Sequence, residues 1–551
     1  MSDTIKITVV IENENLNAPF EKNGSRSLIV THDLSATLMS TLLKNNLISG
    51  SFCGGRGDCG RCRVQFLKGM VMPTALERSV MEPEELRQGY RLACLTKPKD
   101  DCVIKLALVE TPEISIVSDM IAVSENNDHI SQQNTQSQNR TSDVMESCGK
   151  NDGSRAETGG VQMKCARRDD RNIERIRTKC AEAVIAVDLG TTTIAMQLIT
   201  MDTGRVMDTY CEMNPQRCYG ADVLSRIRAS CGGEREILRR VVEEMLERGV
   251  ARFEKRCAQE SASIRCMCIA GNTTMGHLLM GYDVSTLGQS PFTPVEIGLQ
   301  EYKYPAWKFR VWIVPGISAF VGGDIVAGLY ALEMLPGAGQ EFCDAGSFDE
   351  ADLLIDLGTN GEMAITDGRH MIVTATAAGP AFEGGAGAGV VGSDMIACTA
   401  QLLRQGILDE TGLLVEPYFT EGIWVGNPPV MLRGRDIRDL QMAKAAVRAG
   451  IEILWKRMGE PSIGQVCLAG GFGYYLDVEA AFRIGLLPDF MRGKVRAVGN
   501  TSLAGAYQIG RDLWMGRMDE AVLRRRLFCI ESINLAEQEG FERLYMRCME
   551  F

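Results

Sequence analysis

Hydrophobic and polar positions define a small mixed unit at the start of the chain, over residues 5–109. Ile5–Ile11 is apolar and β-branched, which predicts a strand. Leu34–Asn45 places leucines on one helical face, and Asp33 just before it is the expected N-cap. Two further strands are predicted at Cys62–Phe66, where the pattern alternates, and at Val103–Leu108. The first domain, residues 1–115, is therefore predicted to be a small α+β fold.

The pattern changes twice more along the chain. Between about residues 124 and 179 the sequence is dominated by Asn, Gln, Ser, Asp and Arg, and no aromatic residue occurs between Tyr90 and Tyr210. Such a segment buries too little apolar surface to offset its ordering entropy, so residues 116–180 are predicted to form a flexible linker. From Ala183 onward apolar strands alternate with helical patterns, which predicts an α/β architecture.

This α/β region contains internal repeats. AVDLGTTTIAM resembles LIDLGTNGEMAI, and IAGNTTMGHLL resembles AVGNTSLAGAY; they lie at 186–196, 354–365, 269–279 and 497–507. The motifs recur in the same order, which indicates a duplicated domain with a cleft between its halves. We place the first half at residues 181–340 and the second at residues 341–551.

Composition narrows the class of function. The chain has 551 residues, and its net charge of −12 makes a nucleic-acid partner unexpected, since phosphate backbones require a basic face. The N-terminus has neither the basic region nor the apolar region of a signal peptide, and no apolar run approaches the length of a membrane helix. We therefore expect a cytoplasmic protein with no membrane partner.

Four of the 19 cysteines have the spacing of metal ligands. These four ligand cysteines follow the pattern Cys-x5-Cys-x2-Cys-x31-Cys and are Cys53, Cys59, Cys62 and Cys94. Three thiolates on one glycine-rich loop and a fourth from a distant strand can surround a [2Fe–2S] cluster. A zinc site is the alternative, although zinc loops usually pair their cysteines in two short knuckles. Cys102 lies nearby and is interpreted as a structural thiol.

Three glycine-containing motifs suggest a nucleotide site. Asp188–Thr193 and Asp356–Gly361 each combine a strand-terminal Asp with a tight turn whose amides and hydroxyls can face phosphate, while the Asp meets Mg²⁺ or its water. Leu468–Gly473 ends a strand and lacks side chains where a flat adenosine could lie. A plain Asp-x-Gly hairpin is the alternative for either motif alone.

Other motifs in this region are weaker. Gly387–Gly392 matches the dinucleotide pattern GxGxxG, but no strand ends at its first glycine. Asp324 is either an acid in the cleft or a residue of a helix N-terminus, and His277 is expected to be packed rather than catalytic.

The cysteine pattern resembles that of plant-type or adrenodoxin-type [2Fe–2S] ferredoxins, which have a β-grasp fold, over about the first 110 residues. The nucleotide motifs resemble the phosphate and adenosine motifs of the ASKHA superfamily of kinases, chaperones and actin. That resemblance implies that Asp188 and Asp356 handle the metal and the attacking water. It also implies a set of nucleotide-binding residues: Gly190, Thr191, Thr192, Gly358, Thr359 and Asn360 for the phosphates, and Gly470, Gly471 and Gly473 for the adenosine.

A ferredoxin domain joined to an ASKHA domain resembles the reductive activators of corrinoid proteins. The segments NPQRCYGADVLSRI (Asn214–Ile227), GNTTM, PGISAFVGGDIVAG and ATAAGPAFEG (Ala375–Gly384) are also similar to that family. The resemblance implies ATP-dependent, one-electron reduction of a Co(II) corrinoid to Co(I), with a [2Fe–2S] cluster, ATP and Mg²⁺ as cofactors. The implied partners are a corrinoid protein of a methyltransferase system and a low-potential donor such as reduced ferredoxin or flavodoxin.

Three points stay open at this stage. A second copy of the chain, in a homodimer, is a further candidate partner. An ASKHA small-molecule kinase with a fused redox-sensing ferredoxin domain is the alternative enzyme. A redox-controlled chaperone would need a peptide-binding module, and the sequence shows no sign of one.

Overall fold

The computed structural model describes residues 4–12, 25–45, 47, 57, 62–107, 181–337, 350–358, 360–378, 392–426 and 430–551. The chain divides into two units, and all of these residues fall in the unit formed by residues 1–121 and 181–551. The predicted linker, two ligand cysteines (Cys53 and Cys59) and the predicted phosphate ligand Thr359 lie outside the described residues.

The described part of the N-terminal domain is a mixed sheet with the strand order β2-β1-β5-β3-β4. Its elements are β1 (Thr4–Glu12), β2 (Ser25–Asp33), α1 (Leu38–Lys44), β3 (Arg63–Lys68), α2 (Ala75–Val80), α3 (Pro83–Arg87), β4 (Tyr90–Leu92) and β5 (Cys102–Ala107). Strand β1 runs antiparallel to β2 and parallel to β5. Ile7 and Val9 of β1 are fully buried in one core with Leu38 and Leu42 of α1. This arrangement confirms the predicted β-grasp fold.

The start of α1 differs from the prediction. Asp33 is the last residue of β2, and its Oδ1 accepts hydrogen bonds from the backbone N and Oγ of Ser35, both at 2.8 Å. The helix begins at Leu38, and Thr37 Oγ1 accepts from Ser40 N at 3.3 Å. The assignment of Asp33 as the N-cap was therefore wrong, because an Asp side chain can equally bind the backbone two residues on and form a turn.

The first half of the duplicated domain contains a sheet with the order β10-β11-β9-β6-β7-β8. Its elements are β6 (Ala181–Leu189), β7 (Thr193–Thr200), β8 (Val206–Met213), α4 (Val223–Ala229), α5 (Arg235–Glu260), β9 (Ala262–Gly271), α6 (Thr273–Met280), β10 (Gln300–Glu301), β11 (Arg310–Ile313) and α7 (Gly323–Ala331). Strands β6, β7 and β8 form an antiparallel meander, and β9 and β11 continue the sheet in parallel with β6. Strand β6 is buried over Ala183–Val187, as its apolar run predicts.

The second half contains a sheet with the order β18-β17-β12-β13-β14-β19. Its elements are β12 (Glu350–Leu357), β13 (Gly361–Thr366), β14 (Met371–Thr376), α8 (Gly392–Arg404), α9 (Tyr418–Glu421), β15 (Ile423–Val425), β16 (Val430–Leu432), α10 (Gly434–Arg457), β17 (Ser462–Ala469), α11 (Gly470–Tyr475), α12 (Val478–Arg483), β18 (Val495–Gly499), α13 (Thr501–Trp514), α14 (Glu520–Phe528), β19 (Ile530–Ser532) and α15 (Phe541–Arg547). Strands β12, β13 and β14 form an antiparallel meander, and β17 and β18 are parallel to β12. Strands β15 and β16 pair with each other.

The two sheets share their topology over five strands, which confirms the duplication. Both Asp-Leu-Gly-Thr motifs lie at the same hairpin, between the first and second strand of each half. The Gly-Asn-Thr motifs are not equivalent, however: the first follows β9, and the second follows β18, one strand further out. That part of the repeat alignment was wrong. Asn272 and Asn500 each cap a helix, so a strand that leads into a helix can recruit the same short motif independently.

Helices α7 and α13, which follow the equivalent outer strands, join the two halves. They pack against each other, and α13 also packs on β6 and β9 of the first half. The contact is very close, since a Cβ on Gly505 would lie 1.9 Å from the carbonyl oxygen of Ala327. Buried side chains from both sheets, including Ala186 and Leu354, belong to one continuous core. The N-termini of α7 and α13 are therefore held at the junction between the halves.

Candidate functional site

The described ligand cysteines of the N-terminal domain lie side by side. Cys62 immediately precedes β3, Cys94 follows β4, and their sulfurs are 3.2 Å apart. The Ala93 amide donates to the Cys62 carbonyl at 2.8 Å, which ties the two segments together. Two thiols from distant parts of the chain are thus close enough to bind one metal atom, which fits the predicted cluster.

Gly57, which precedes Cys62 in the chain, adopts a backbone conformation that favours glycine. Gly57 has φ +79°, and a Cβ there would lie 2.4 Å from Leu95 Cδ1, so a larger residue would clash. Cys102 lies on β5 opposite Ile7, and burial raises the pKa of its thiol to about 11. A neutral thiol in the sheet core agrees with the interpretation of Cys102 as structural.

In the first half, Asp188 lies at the end of β6, where the chain turns into β7. The turn is tight, because a Cβ on Gly190 would lie 2.6 Å from the Thr193 carbonyl oxygen. Asn214 holds this turn: its Nδ2 donates to the Gly190 carbonyl and its backbone N donates to the Thr192 carbonyl, both at 2.8 Å. The predicted residues Gly190, Thr191 and Thr192 are thus contiguous with Asp188 on one fixed loop.

The carboxylate of Asp188 is oriented by the second half. Asn500 Nδ2 donates to Oδ2 at 2.8 Å, and Ser502 Oγ donates to Oδ1 at 2.9 Å. Both donors come from the start of α13. Burial raises the pKa of Asp188, and these two hydrogen bonds oppose the rise. This Gly-Asn-Thr-Ser segment was recognisable in the sequence as a repeat, but its place at the site was not predicted.

In the second half, Asp356 lies at the end of β12 beside the adenosine motif. It is the register partner of Ala469, and Gly470 follows with φ +82°. A Cβ on Gly470 would lie 2.6 Å from Asp356 Oδ1, so the absence of a side chain there admits the carboxylate. The Gly358 amide donates to the Asn360 carbonyl at 2.9 Å and closes the turn.

The remaining adenosine-motif residues lie on the short helix α11. Among the described residues, a Cβ on Gly471 would meet no atom within 4 Å, whereas Gly473 is buried against Leu468. Gly471 therefore faces open space, and Gly473 belongs to the packing beneath it. The structure therefore places Gly470 of the adenosine motif beside Asp356. The described hydrogen bonds of the Asp188 carboxylate go to the start of α13 and not to the adenosine motif.

Two further acids share the electrostatics of this region. Asp324 lies in the first turn of α7; burial and then repulsion from Asp188 raise its pKa to about 7. Glu362 on β13 is 7% exposed, and burial, followed by repulsion from Asp324 and Asp356, raises its pKa. Burial, Asp324 and Asp188 also raise the pKa of Asp356 to about 7. Asp324 is thus both a residue of a helix N-terminus and an acid near Asp188. Glu362 was not predicted from the sequence, although it is the one charged residue in the run GEMAIT.

Carboxylates alone do not make a metal cage here. Within the described ranges, no three His, Cys, Asp or Glu side chains are arranged to hold a metal ion. Mg²⁺ normally binds through one or two carboxylates together with phosphate oxygens and water, so one or two Asp side chains beside a phosphate loop are a suitable donor set.

The weaker motifs fall outside this arrangement. His277 Nδ1 lies 2.8 Å from the Thr273 carbonyl, and its Nε2 accepts from Val295 N at 3.1 Å, while burial lowers its pKa. It therefore packs α6 against the following loop, as expected. Of Gly387–Gly392, only Gly392 lies within the described residues, where it begins α8. Across the part of the chain that is described, no helix is long and apolar enough to cross a membrane.

Comparison with protein families assigns most of the chain. Residues 20–99 match the 2Fe-2S iron-sulfur cluster binding domain. Residues 183–336 match the RACo middle region, and residues 350–388 and 386–551 match the C-terminal domain of RACo, the ASKHA domain.

Two individual relatives are named for corrinoid activation or corrinoid protein reduction. The chain is 27% identical over 428 residues to the corrinoid activation enzyme RamQ of Eubacterium limosum, covering 66% of this chain and 69% of the relative. It is 21% identical over 432 residues to a [Co(II) methylated amine-specific corrinoid protein] reductase of Methanosarcina barkeri, covering 66% and 76%. A solved structure titled as a reductive activator for corrinoid, iron-sulfur protein has the same fold, with a TM-score of 0.56, 24% identity and coverage of 99% and 98%.

Proposed function

Because the chain belongs to the RACo family of corrinoid reductive activators, we propose that it uses ATP to reduce the Co(II) corrinoid of a partner protein to Co(I). One electron passes from a low-potential donor, such as reduced ferredoxin or flavodoxin, through a [2Fe–2S] cluster to cobalt. ATP and water are converted to ADP and phosphate. The named activities of the two sequence relatives support this choice of reaction.

The observation that carries the proposal is the meeting of the halves at Asp188. Its carboxylate belongs to the first half and is held by Asn500 and Ser502 of the second. Any change in the relative position of the halves therefore changes the orientation of this carboxylate. A ligand that binds between the halves can shift such an equilibrium by its differential affinity for the two arrangements.

We assign the nucleotide contacts as follows. The amides and hydroxyls of Gly190, Thr191 and Thr192, together with Gly358, Thr359 and Asn360, bind the phosphates. Asp188 and Asp356 bind Mg²⁺ or position the attacking water. The adenosine lies against Gly470, Gly471 and Gly473, where Gly471 faces open space.

The four ligand cysteines hold the [2Fe–2S] cluster, which supplies one-electron transfer when bound. Cys62 and Cys94 are already adjacent, so cluster binding requires little rearrangement of these two segments. We further propose that residues 116–180 tether this domain so that it can reach both donor and corrinoid, and that the protein works in the cytoplasm.

Conversion of Co(II) to Co(I) corrinoid, followed by absorbance with ATP and a low-potential donor, tests the proposal. Asp356→Asn should abolish ATP-driven reduction. The matched control is Asp352→Asn on the same strand, where Asp352 Oδ1 accepts from Gln465 N at 2.9 Å, away from the motifs. The control should retain reduction. ATP-dependent phosphorylation of a sugar or carboxylate, without cobalt reduction, would support the kinase alternative instead.

A further inference from the structure

A fully buried arginine lies directly behind the first phosphate loop. Arg226 is on α4, and its side chain is 0% exposed. Its guanidinium donates to the Thr191 carbonyl, to the Gly220 carbonyl at 3.0 Å, and to Gln216 Oε1 at 3.3 Å. Burying a guanidinium is costly unless its donors are satisfied, so these bonds fix the side chain in one position.

The surroundings of Arg226 connect the loop to two other segments. Arg226 Nη1 lies 3.0 Å from the sulfur of Met275, which comes from the Gly-Asn-Thr-Thr-Met segment. Gln216 Nε2 donates to the Leu238 carbonyl of α5 at 3.0 Å. The segment Asn214–Ile227, which resembles the activator family, therefore forms a hydrogen-bonded support beneath the Asp188–Thr193 loop.

The hydrogen bonds from this support determine how two peptide units of the loop are oriented. In a trans peptide the carbonyl oxygen of one residue and the N–H of the next point to opposite sides. Asn214 holds the Gly190 carbonyl, which directs the Thr191 N–H away from Asn214. Arg226 holds the Thr191 carbonyl, which directs the Thr192 N–H away from Arg226.

We propose that Arg226 is a positioning residue for the nucleotide phosphates. It holds the Thr191–Thr192 peptide of the phosphate loop in one orientation through the Thr191 carbonyl, and its positive charge behind the loop adds electrostatic attraction for the phosphates. Arg226 does not touch the nucleotide itself. This inference rests on the proposed function, because it assumes that ATP binds at the Asp188 loop.

The test separates phosphate binding from adenosine binding. Dissociation constants of the full-length protein for labelled ATP and labelled adenosine, both with Mg²⁺, are measured by equilibrium dialysis. Arg226→Met should weaken ATP binding about tenfold, by analogy with the lower end of the effect of removing a partner that orients a metal ligand. Adenosine binding should stay unchanged, and Arg226→Lys, which keeps the charge, should restore part of the ATP affinity.

Arg526→Met is the matched control. Arg526 also donates to two main-chain carbonyls, those of Pro336 at 2.7 Å and Leu335 at 2.9 Å, but lies on α14. It should leave both dissociation constants unchanged. If Arg226→Met does not fold, Asn214→Ala tests the neighbouring peptide with the same readout and the same expected direction.

Two results would overturn the inference. One is an unchanged ATP affinity in Arg226→Met, and the other is an equal loss of ATP and adenosine affinity, which would indicate a purely structural role. A parental protein that binds ATP no more tightly than adenosine would instead contradict the proposed nucleotide site.

Discussion

Replacing Asp356 by Asn should stabilise the nucleotide-free protein, and more strongly at high pH. Burial and the neighbouring Asp324 and Asp188 raise the pKa of Asp356 from 3.8 to about 7. A carboxyl group with a higher pKa in the folded than in the unfolded chain holds its proton more tightly when folded. Folding is therefore increasingly penalised as the pH rises from about 4 to about 7. Asn has nearly the same shape and no charge, so it avoids this penalty.

The size of the effect follows from the two pKa values. For a single site, linkage gives a penalty of about 1.7 kcal/mol at pH 5 and about 4.4 kcal/mol at pH 8.5. The quantity to test is the difference of about 2.7 kcal/mol between the two pH values. It is insensitive to any constant packing effect of the substitution.

Urea unfolding followed by tryptophan fluorescence provides the measurement. All five tryptophans of the chain lie after residue 181, so the signal reports on the duplicated domain and not on the N-terminal domain. Asp352→Asn is the control: it weakens the hydrogen bond from Gln465 N and should lower the free energy of unfolding. Saturating Mg-ATP at about 100 times its dissociation constant should add about 2.7 kcal/mol to the parental protein and much less to Asp356→Asn.

The reasoning would be refuted by either of two results. The first is a free energy of unfolding of Asp356→Asn, relative to the parental protein, that falls between pH 5 and pH 8.5 instead of rising. The second is a change in the free energy of unfolding that is the same at pH 5 and pH 8.5, because the effect would then not come from the titration of the carboxyl group.

Three further predictions concern other parts of the molecule. Replacing any of the four ligand cysteines by Ala should remove the two irons measured by iron and sulfide analysis, whereas Cys102→Ala should retain them; stoichiometric zinc in iron-replete protein would contradict the cluster. Ser502→Ala removes the 2.9 Å hydrogen bond to Asp188 and should slow ATP hydrolysis about tenfold, while Ser79→Ala in the N-terminal domain should not. A fragment beginning near Lys179 should bind ATP yet fail to reduce cobalt until residues 1–115 are added at high concentration; normal reduction by the fragment alone would exclude the cluster from the electron path.

The sequence predicted the features that are encoded locally. The Asp-Leu-Gly-Thr hairpins were predictable because a strand, a terminal Asp and a turn that excludes side chains follow one another within a few residues. The fold and the family were predicted correctly on this basis and from the cysteine spacing. The assigned roles of the site residues and the domain boundaries stay predictions.

Contacts between distant residues were not predictable in the same way. The hydrogen bond from Asn500 to Asp188 joins residues 312 positions apart, and it exists because α13 packs on the sheet of the other half. The two Gly-Asn-Thr motifs looked equivalent because their similarity is local: in each of them the Asn caps a helix, and this does not depend on the position of the strand in the sheet. Glu362 could have been found, since a lone acid in a buried apolar strand needs a functional or structural reason.

The duplicated hairpin has a chemical consequence of its own. Asp188 and Asp356 occupy equivalent positions in two copies of one topology, but their neighbours differ. The start of α13 contacts Asp188, whereas Gly470 at the start of α11 contacts Asp356. Asp188 has gained two neutral donors that favour its ionised form. Asp356 has Gly470 at its side, and burial followed by the like charges of Asp324 and Asp188 favours its protonated form. Burial raises the pKa of both acids, but the hydrogen bonds oppose the rise at Asp188 and like charges add to it at Asp356, so two copies of one hairpin form an asymmetric electrostatic centre.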